Sequence, residues 1–201
     1  MKKKTTFLFD VDGTLLDTRE LIYQSMKLLA DDLQLQLPDR SIIEATIGLP
    51  ASDGLRIIFN TLPQEKISEA MDIYRARQWE LWENMINVFP TVNEGLNLLS
   101  DRNAILAVVT SRRRASLIPY LKASNLLDFF AAIVTPEDTI LHKPNPDPAE
   151  KALAVLCKSA EEAVFVGDSE FDISCANQAG ITSVLVSWGM SPTGWKYSVS
   201  H

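Results

Sequence analysis

Hydrophobic and polar positions along this chain follow two different rhythms. After a basic start, Phe7-Leu8-Phe9 runs straight into Asp10-Val11-Asp12-Gly13-Thr14. A short apolar run closed by turn residues predicts a buried strand, here Thr5 to Asp10. From there to about residue 88 the apolar positions recur at helical spacing. Leu21, Ile22, Met26, Leu29 and Leu33 predict a helix capped by Asp17 or Thr18. Ile42, Ile43 and Ile47 follow Pro38-Asp39 in a shorter one. Leu55, Ile58 and Phe59 mark a third, opened by Ser52 or Asp53 and stopped by Pro63. A long helix is expected from about Gln64 to Met85, carrying Ile67, Ala70, Met71, Tyr74, Trp79 and Trp82. The two tryptophans are assigned to packing. No strand is expected between residues 18 and 88.

Past Phe89-Pro90 the pattern alternates. Helices are expected over Val92 to Leu99, Arg113 to Lys122, within Pro146 to Cys157, and over Phe171 to Ala179, where Gly180 caps. Strands are expected over Ile105 to Val109, Ala132 to Val134, Ala163 to Val166 and Ser183 to Val186. Strand–helix alternation predicts an α/β fold, a Rossmann-like parallel sheet covered on both faces. The helical block interrupts it directly after the first strand. The expected division is a core of residues 1–16 and 89–201 with an inserted all-α cap of residues 17–88.

Composition narrows the partners. At 201 residues, with 46% apolar and 22% charged positions, the chain fits a globular protein. A net charge of −7 argues against nucleic-acid or membrane-surface binding. Cys157 and Cys175, 18 positions apart, make neither a disulfide framework nor a zinc site and fit a reducing compartment. Asp10 interrupts the N-terminal apolar run, which therefore does not read as a signal peptide. Residues 173–195 lack charge, but polar, Gly and Pro positions break any span. A soluble cytoplasmic protein is expected, acting on a small molecule as a monomer or homodimer.

The chemistry-bearing residues share one address. Asp10 and Asp12 follow the first strand, Thr110-Ser111 the strand Ile105 to Val109, and Asp168 the strand Ala163 to Val166. In open α/β sheets that carboxyl edge binds ligands. Carboxylates without His or Cys partners suit a hard cation such as magnesium. Thr110 and Ser111 offer a hydroxyl and amides to an anion. Lys143 sits among Pro144, Pro146 and Pro148 and could hold a phosphoryl oxygen. Asp172 follows Asp168 by one helical turn and can face the same site. Each feature also has a plain structural use: Asp-Gly as a turn, Lys143 on a loop surface, Asp168 as a helix cap. Arg112, Arg113 and Arg114 read as a solvated helix start.

Together these residues resemble the haloacid dehalogenase superfamily of phosphatases. Asp10-Val11-Asp12-Gly13-Thr14 is similar to its first motif, Thr110-Ser111 to the second, Lys143-Pro144 to the third and Gly167-Asp168-Ser169-Glu170-Phe171-Asp172 to the fourth. The subgroup with a small helical cap, phosphoglycolate phosphatases and related pyrophosphatases, matches best. The resemblance implies Asp10 as nucleophile and Asp12 as acid and base. It implies magnesium on Asp10, the Asp12 backbone carbonyl and Asp168, with Asp172 nearby, and a phosphoryl group on Thr110, Ser111 and Lys143. The loop Thr46-Ile47-Gly48-Leu49-Pro50, with Arg56, is the expected substrate contact from the cap. Thr91 stands where members often carry Gly, an exchange expected to be harmless. The chain ends at Ser198-Val199-Ser200-His201, earlier than members usually do, which implies a shortened C-terminus and an exposed sheet edge.

The expected activity is magnesium-dependent hydrolysis of a small phosphate monoester of phosphoglycolate type, through an aspartyl-phosphate. Pyrophosphate or nucleotide hydrolysis, a sugar-phosphate mutase and a non-catalytic phosphate-binding regulator are the alternatives. Asp12 disfavours a dehalogenase or phosphonoacetaldehyde hydrolase, which lack an aspartate there.

Overall fold

The computed structural model describes residues 3–189. The first strand, β1 (Thr6–Phe9), leads to a two-residue strand, β2 (Leu16–Asp17). Four helices follow: α1 (Arg19–Asp32), α2 (Arg40–Glu44), α3 (Ala51–Ile58) and α4 (Ile67–Leu81). Next come β3 (Asn87–Val88), α5 (Val92–Asp101), β4 (Ile105–Val109), α6 (Arg114–Ala123) and β5 (Ala132–Val134). The last elements are α7 (Asp147–Leu156), β6 (Ala163–Gly167), α8 (Glu170–Gln178) and β7 (Thr182–Leu185).

Five strands form one parallel sheet in the order β5-β4-β1-β6-β7. The central strand, β1, aligns Phe9 with Val108 on one side and Val166 on the other. Period-two alternation divides the strand residues between two cores. Phe9, Leu106 and Val108 join Leu117, Tyr120 and Leu121 on one face. Leu8, Ala107, Val109 and Phe165 join Ala149, Ala152 and Ala176 on the other. Because both faces are covered, these strands read as continuous apolar runs. Among the described residues, no helix is long and apolar enough to cross a membrane.

The helical block builds a third core from its own residues, including Ile22, Met26, Leu29, Ile43, Leu55, Ile58, Met71 and Tyr74. It is joined to the sheet unit through an antiparallel ribbon, Leu16 opposite Val88 and Asp17 opposite Asn87. This corrects the expectation of no strand between residues 18 and 88. Two-residue strands are too short to leave a period in the sequence. The expected helix from Gln64 to Met85 is three pieces, a 3-10 turn at Gln64–Lys66, then α4, then a 3-10 turn at Trp82–Asn84.

Other details depart from expectation. Trp82 packs on the sheet core, stacked against Tyr120 with ring centroids 5.2 Å apart. Trp79 stacks on Trp82 at 5.6 Å but stays 55% exposed, so packing accounts for one tryptophan and not the other. Cys157 is not within a helix: it ends α7 in the left-handed conformation, exposed, while Cys175 is buried in α8. Thr91 precedes α5 with φ of +68°, a region where a β-branched residue is strained. The exchange from glycine is therefore costly. The expected C-terminal shortening concerns residues outside those described.

Candidate active site

The sheet delivers the site residues. Asp10, Thr110 and Asp168 each stand one position past the end of β1, β4 and β6. The ladder continues into the site: the Asp10 N–H donates to the Val166 carbonyl at 3.0 Å and the Thr110 N–H to the Val134 carbonyl at 3.1 Å. The backbone under these side chains is thus fixed by the same hydrogen bonds that fix the sheet.

Lys143 enters from the loop before α7, through a cis peptide bond to Pro144. Its buried ammonium donates to Asp10 Oδ1 and Asp172 Oδ1, each at 2.6 Å, and to the Val109 carbonyl at 3.3 Å. It is therefore not a surface lysine. Burial alone would push its pKa down, but Asp10 and Asp172 outweigh that and hold it above the ordinary lysine value. Asp172 accepts from both the N–H and the hydroxyl of Ser169, at 3.1 and 2.6 Å. Ser169, rather than Asp168, caps α8. Asp168 is turned to the site and accepts from the Thr14 hydroxyl at 3.2 Å. Gly13 lies between the strand end and this carboxylate, with φ of +93°, and a Cβ there would collide with Asp168.

Carboxylate oxygens of Asp10, Asp168 and Asp172 lie within 4.8 Å of one another. Burial raises the pKa of Asp10 most, Lys143 opposes it, and Asp172, Asp168 and Asp12 push it further up. With Asp12 the site holds four carboxylates against two cations, Lys143 and Arg112. The excess of two negative charges and the all-oxygen donor set fit a divalent cation such as magnesium.

Arg112 departs from the solvated helix start expected of the three arginines. Arg113 and Arg114 do stand exposed, paired with Glu137 and Asp138. Arg112 turns inward, 9% exposed, and grips Asp12: Nη2 donates to Oδ1 at 2.7 Å and Nε to Oδ2 at 2.9 Å. It also lies over the Tyr120 ring at 4.6 Å, and Nη1 donates to Gln78 Oε1 on α4 at 3.3 Å. Asp12 accepts from the Thr18 hydroxyl at 2.6 Å as well. Burial would raise the Asp12 pKa, but Arg112 wins and holds it below the usual carboxylate value. The available signal was position. Extended Arg113 is the N-cap of α6, so Arg112 belongs to the strand-end loop, two residues past Thr110.

Thr110 and Ser111 border the same cavity as Asp10 and Asp12, about 800 Å³ between the sheet edge and the helical block. The Thr110 hydroxyl accepts from the Arg112 N–H at 3.1 Å. The Ser111 hydroxyl donates to the Gly48 carbonyl at 2.6 Å, fastening the 46–50 loop to the sheet unit. Gly48 has φ of +106°, and a Cβ there would stand 2.9 Å from the Phe171 ring. Arg56 is not at the cavity. The buried face of α3 carries Gly54, Leu55 and Ile58, which turns Arg56 to solvent, where it pairs with Asp53 at 2.6 Å.

Residues 7–186 match the model of the haloacid dehalogenase-like hydrolases. The chain belongs to that family. Among haloacid dehalogenase-like hydrolases, it is 33% identical over 183 residues to a protein named pyrophosphatase PpaX from Anoxybacillus flavithermus, covering 91% of this chain and 83% of that one. It is 36% identical over 194 residues to one named probable phosphatase IndB from Dickeya dadantii, covering 94% and 84%. A solved structure described as a predicted phosphoglycolate phosphatase from Haemophilus somnus superposes with a TM-score of 0.84, covering 94% of this chain and 88% of that one; at 23% identity this speaks to the fold.

Proposed function

We propose that this hydrolase is a magnesium-dependent phosphatase acting on a small phosphorylated metabolite through an aspartyl-phosphate on Asp10. The observation that carries the reading is Asp10 itself. It is buried at the strand end, with Lys143 on one oxygen and an acidic neighbour, Asp12, held separately by Arg112. In its ionised form, which Lys143 favours against the burial that raises its pKa, a carboxylate fixed this way is a nucleophile that needs no activation by a base.

In the first step an Asp10 oxygen attacks phosphorus and the bond to the leaving oxygen breaks. Asp12, ionised beside Arg112, takes up the proton carried by the monoanionic phosphate ester and passes it to that oxygen, which leaves as an alcohol. Asp12, then ionised, takes a proton from water, which attacks the Asp10 phosphoryl group and frees inorganic phosphate. Thr110, Ser111 and Lys143 hold the phosphoryl oxygens in both steps. Asp10, Asp168 and Asp172 would hold magnesium, whose charge offsets that of the phosphoryl oxygens. The block 17–88 acts as a cap that excludes water; its separate core and the Ser111–Gly48 bond support this. The name of the Anoxybacillus relative favours pyrophosphate as a second candidate substrate.

The test is phosphate release by the purified chain from phosphate monoesters and pyrophosphate, with magnesium or with chelator, beside Asp10→Asn. Magnesium-dependent release lost in the variant is expected. Release that survives Asp10→Asn at full rate would exclude Asp10 as the nucleophile.

A further inference from the structure

The cavity is larger than its catalytic floor requires, and more of its lining surface is apolar than polar. Its floor carries Asp10, Asp12, Thr110 and Ser111. Its walls carry Ile47, Leu49, Met71, Tyr74, Trp79 and Tyr120. About 800 Å³ lies toward the upper end of the roughly 300–1,000 Å³ typical of pockets that enclose drug-sized organic ligands. Pyrophosphate or phosphoglycolate would leave most of that space unfilled.

The charges in the cavity point the same way. A second anionic group on the substrate needs a cation of its own, because burying an unpaired charge beside apolar walls is costly. Three arginines line the cavity, and each already faces a carboxylate. Arg112 holds Asp12, while Arg75 and Arg113 stand exposed beside Asp72 and Glu137. The buried arginine of the three is thus committed at the phosphate end.

Trp79 supplies the positive signal. It borders the cavity from α4 and is more than half exposed. Its ring is held from behind by Trp82, itself stacked on Tyr120, and Arg112 lies over Tyr120. A rigid aromatic face left open inside a cavity, backed by a stack that ends at the catalytic floor, is built to take a planar group.

We infer that the preferred substrate is a phosphate monoester whose organic part is uncharged, largely apolar and ring-bearing, with the ring stacked on Trp79. The inference rests on the phosphatase reading and narrows it away from phosphoglycolate and pyrophosphate.

The test compares 2-phenylethyl phosphate, ethyl phosphate and phosphoglycolate. All three are esters of primary alcohols, so differences in rate read the walls more than the leaving group. Pyrophosphate is measured beside them. For the intact chain, kcat/KM for 2-phenylethyl phosphate should exceed that of each other substrate on the order of tenfold or more. Trp79→Ala should remove most of that preference through KM, bringing the ratio of kcat/KM for 2-phenylethyl phosphate to that for ethyl phosphate toward one. Trp79→Phe should restore much of it. Because Trp79 is exposed, the variants should fold, which circular dichroism checks.

Binding of 2-phenylethylphosphonate, which cannot be hydrolysed, is measured by calorimetry against ethylphosphonate. Turnover of the smaller or doubly charged substrates at equal or higher efficiency would overturn the inference and leave the phosphatase reading standing. So would a preference indifferent to Trp79. If nothing is hydrolysed, the phosphatase reading fails. Trp79-dependent tighter binding of the phenyl phosphonate would then still uphold the apolar ring site, and equal binding of the two phosphonates would overturn it.

Discussion

Arg112 ties Asp12 to the helical block, since Nε and Nη2 of one guanidinium hold Asp12 and Nη1 reaches Gln78. A lysine there would keep the charge but lose the planar fork. Arg112→Lys should therefore lower kcat/KM by roughly 10- to 100-fold, the equivalent of one strong charge-assisted contact. Steady-state kinetics on any substrate the chain accepts would measure it. Retention of full activity would show that charge alone suffices. Thr91 offers a stability test at the same scale. Its φ of +68° costs a threonine about 1–2 kcal/mol that glycine does not pay. Thr91→Gly should stabilise the chain by about 1 kcal/mol, raising Tm by about 2–4 °C for a chain of this size. Thermal unfolding would show it, and a lower Tm would mean that glycine's added backbone entropy in the unfolded chain outweighs the strain.

At the scale of elements, what was legible depended on how long a pattern lasted. Strands such as Ile105–Val109 and Ala132–Val134 occur where their apolar runs predict them, because a doubly covered strand must be apolar throughout. Asp10 and Asp12, Thr110-Ser111 and Asp168 could be placed at one edge because parallel connectivity puts every strand's carboxyl end on the same side. Side-chain direction was not legible. Arg112, Arg113 and Arg114 are identical letters, and only the point where extended backbone turns into α6 decides which one faces inward. Arg56 failed for the converse reason: it follows the right loop, but helical rotation carries it to solvent. The β2–β3 ribbon, two residues on each strand, has no period to detect.

At the scale of the molecule, electrostatics sets a condition on stability. Three buried carboxylates within 4.8 Å oppose each other in the folded state and not in the unfolded chain. A divalent cation that binds only the folded site stabilises it by mass action, about 2.7 kcal/mol at a hundredfold excess over Kd. Magnesium should thus raise Tm by several degrees. Asp168→Asn, which removes one of the three charges, should lose much of that increment while its metal-free Tm stays level or rises. Differential scanning calorimetry with and without chelator would test this. An increment unchanged in Asp168→Asn would place the metal elsewhere.

The ribbon that pairs Leu16 with Val88 also fixes where the chain departs from the sheet unit and where it comes back. The two crossings are hydrogen-bonded neighbours, so the sheet sees the intervening helices as it would see a hairpin turn. Loop-closure cost grows only with the logarithm of loop length, and here the ribbon holds the ends together whatever lies between. The pairing of the sheet strands is therefore indifferent to the length of what is inserted, while Arg112 and Ser111 at the sheet edge still bond to the block through Gln78 and Gly48. A different set of helices between these two strands would meet the same chain ends, and would change the cavity walls together with the partners of Ser111 and Arg112.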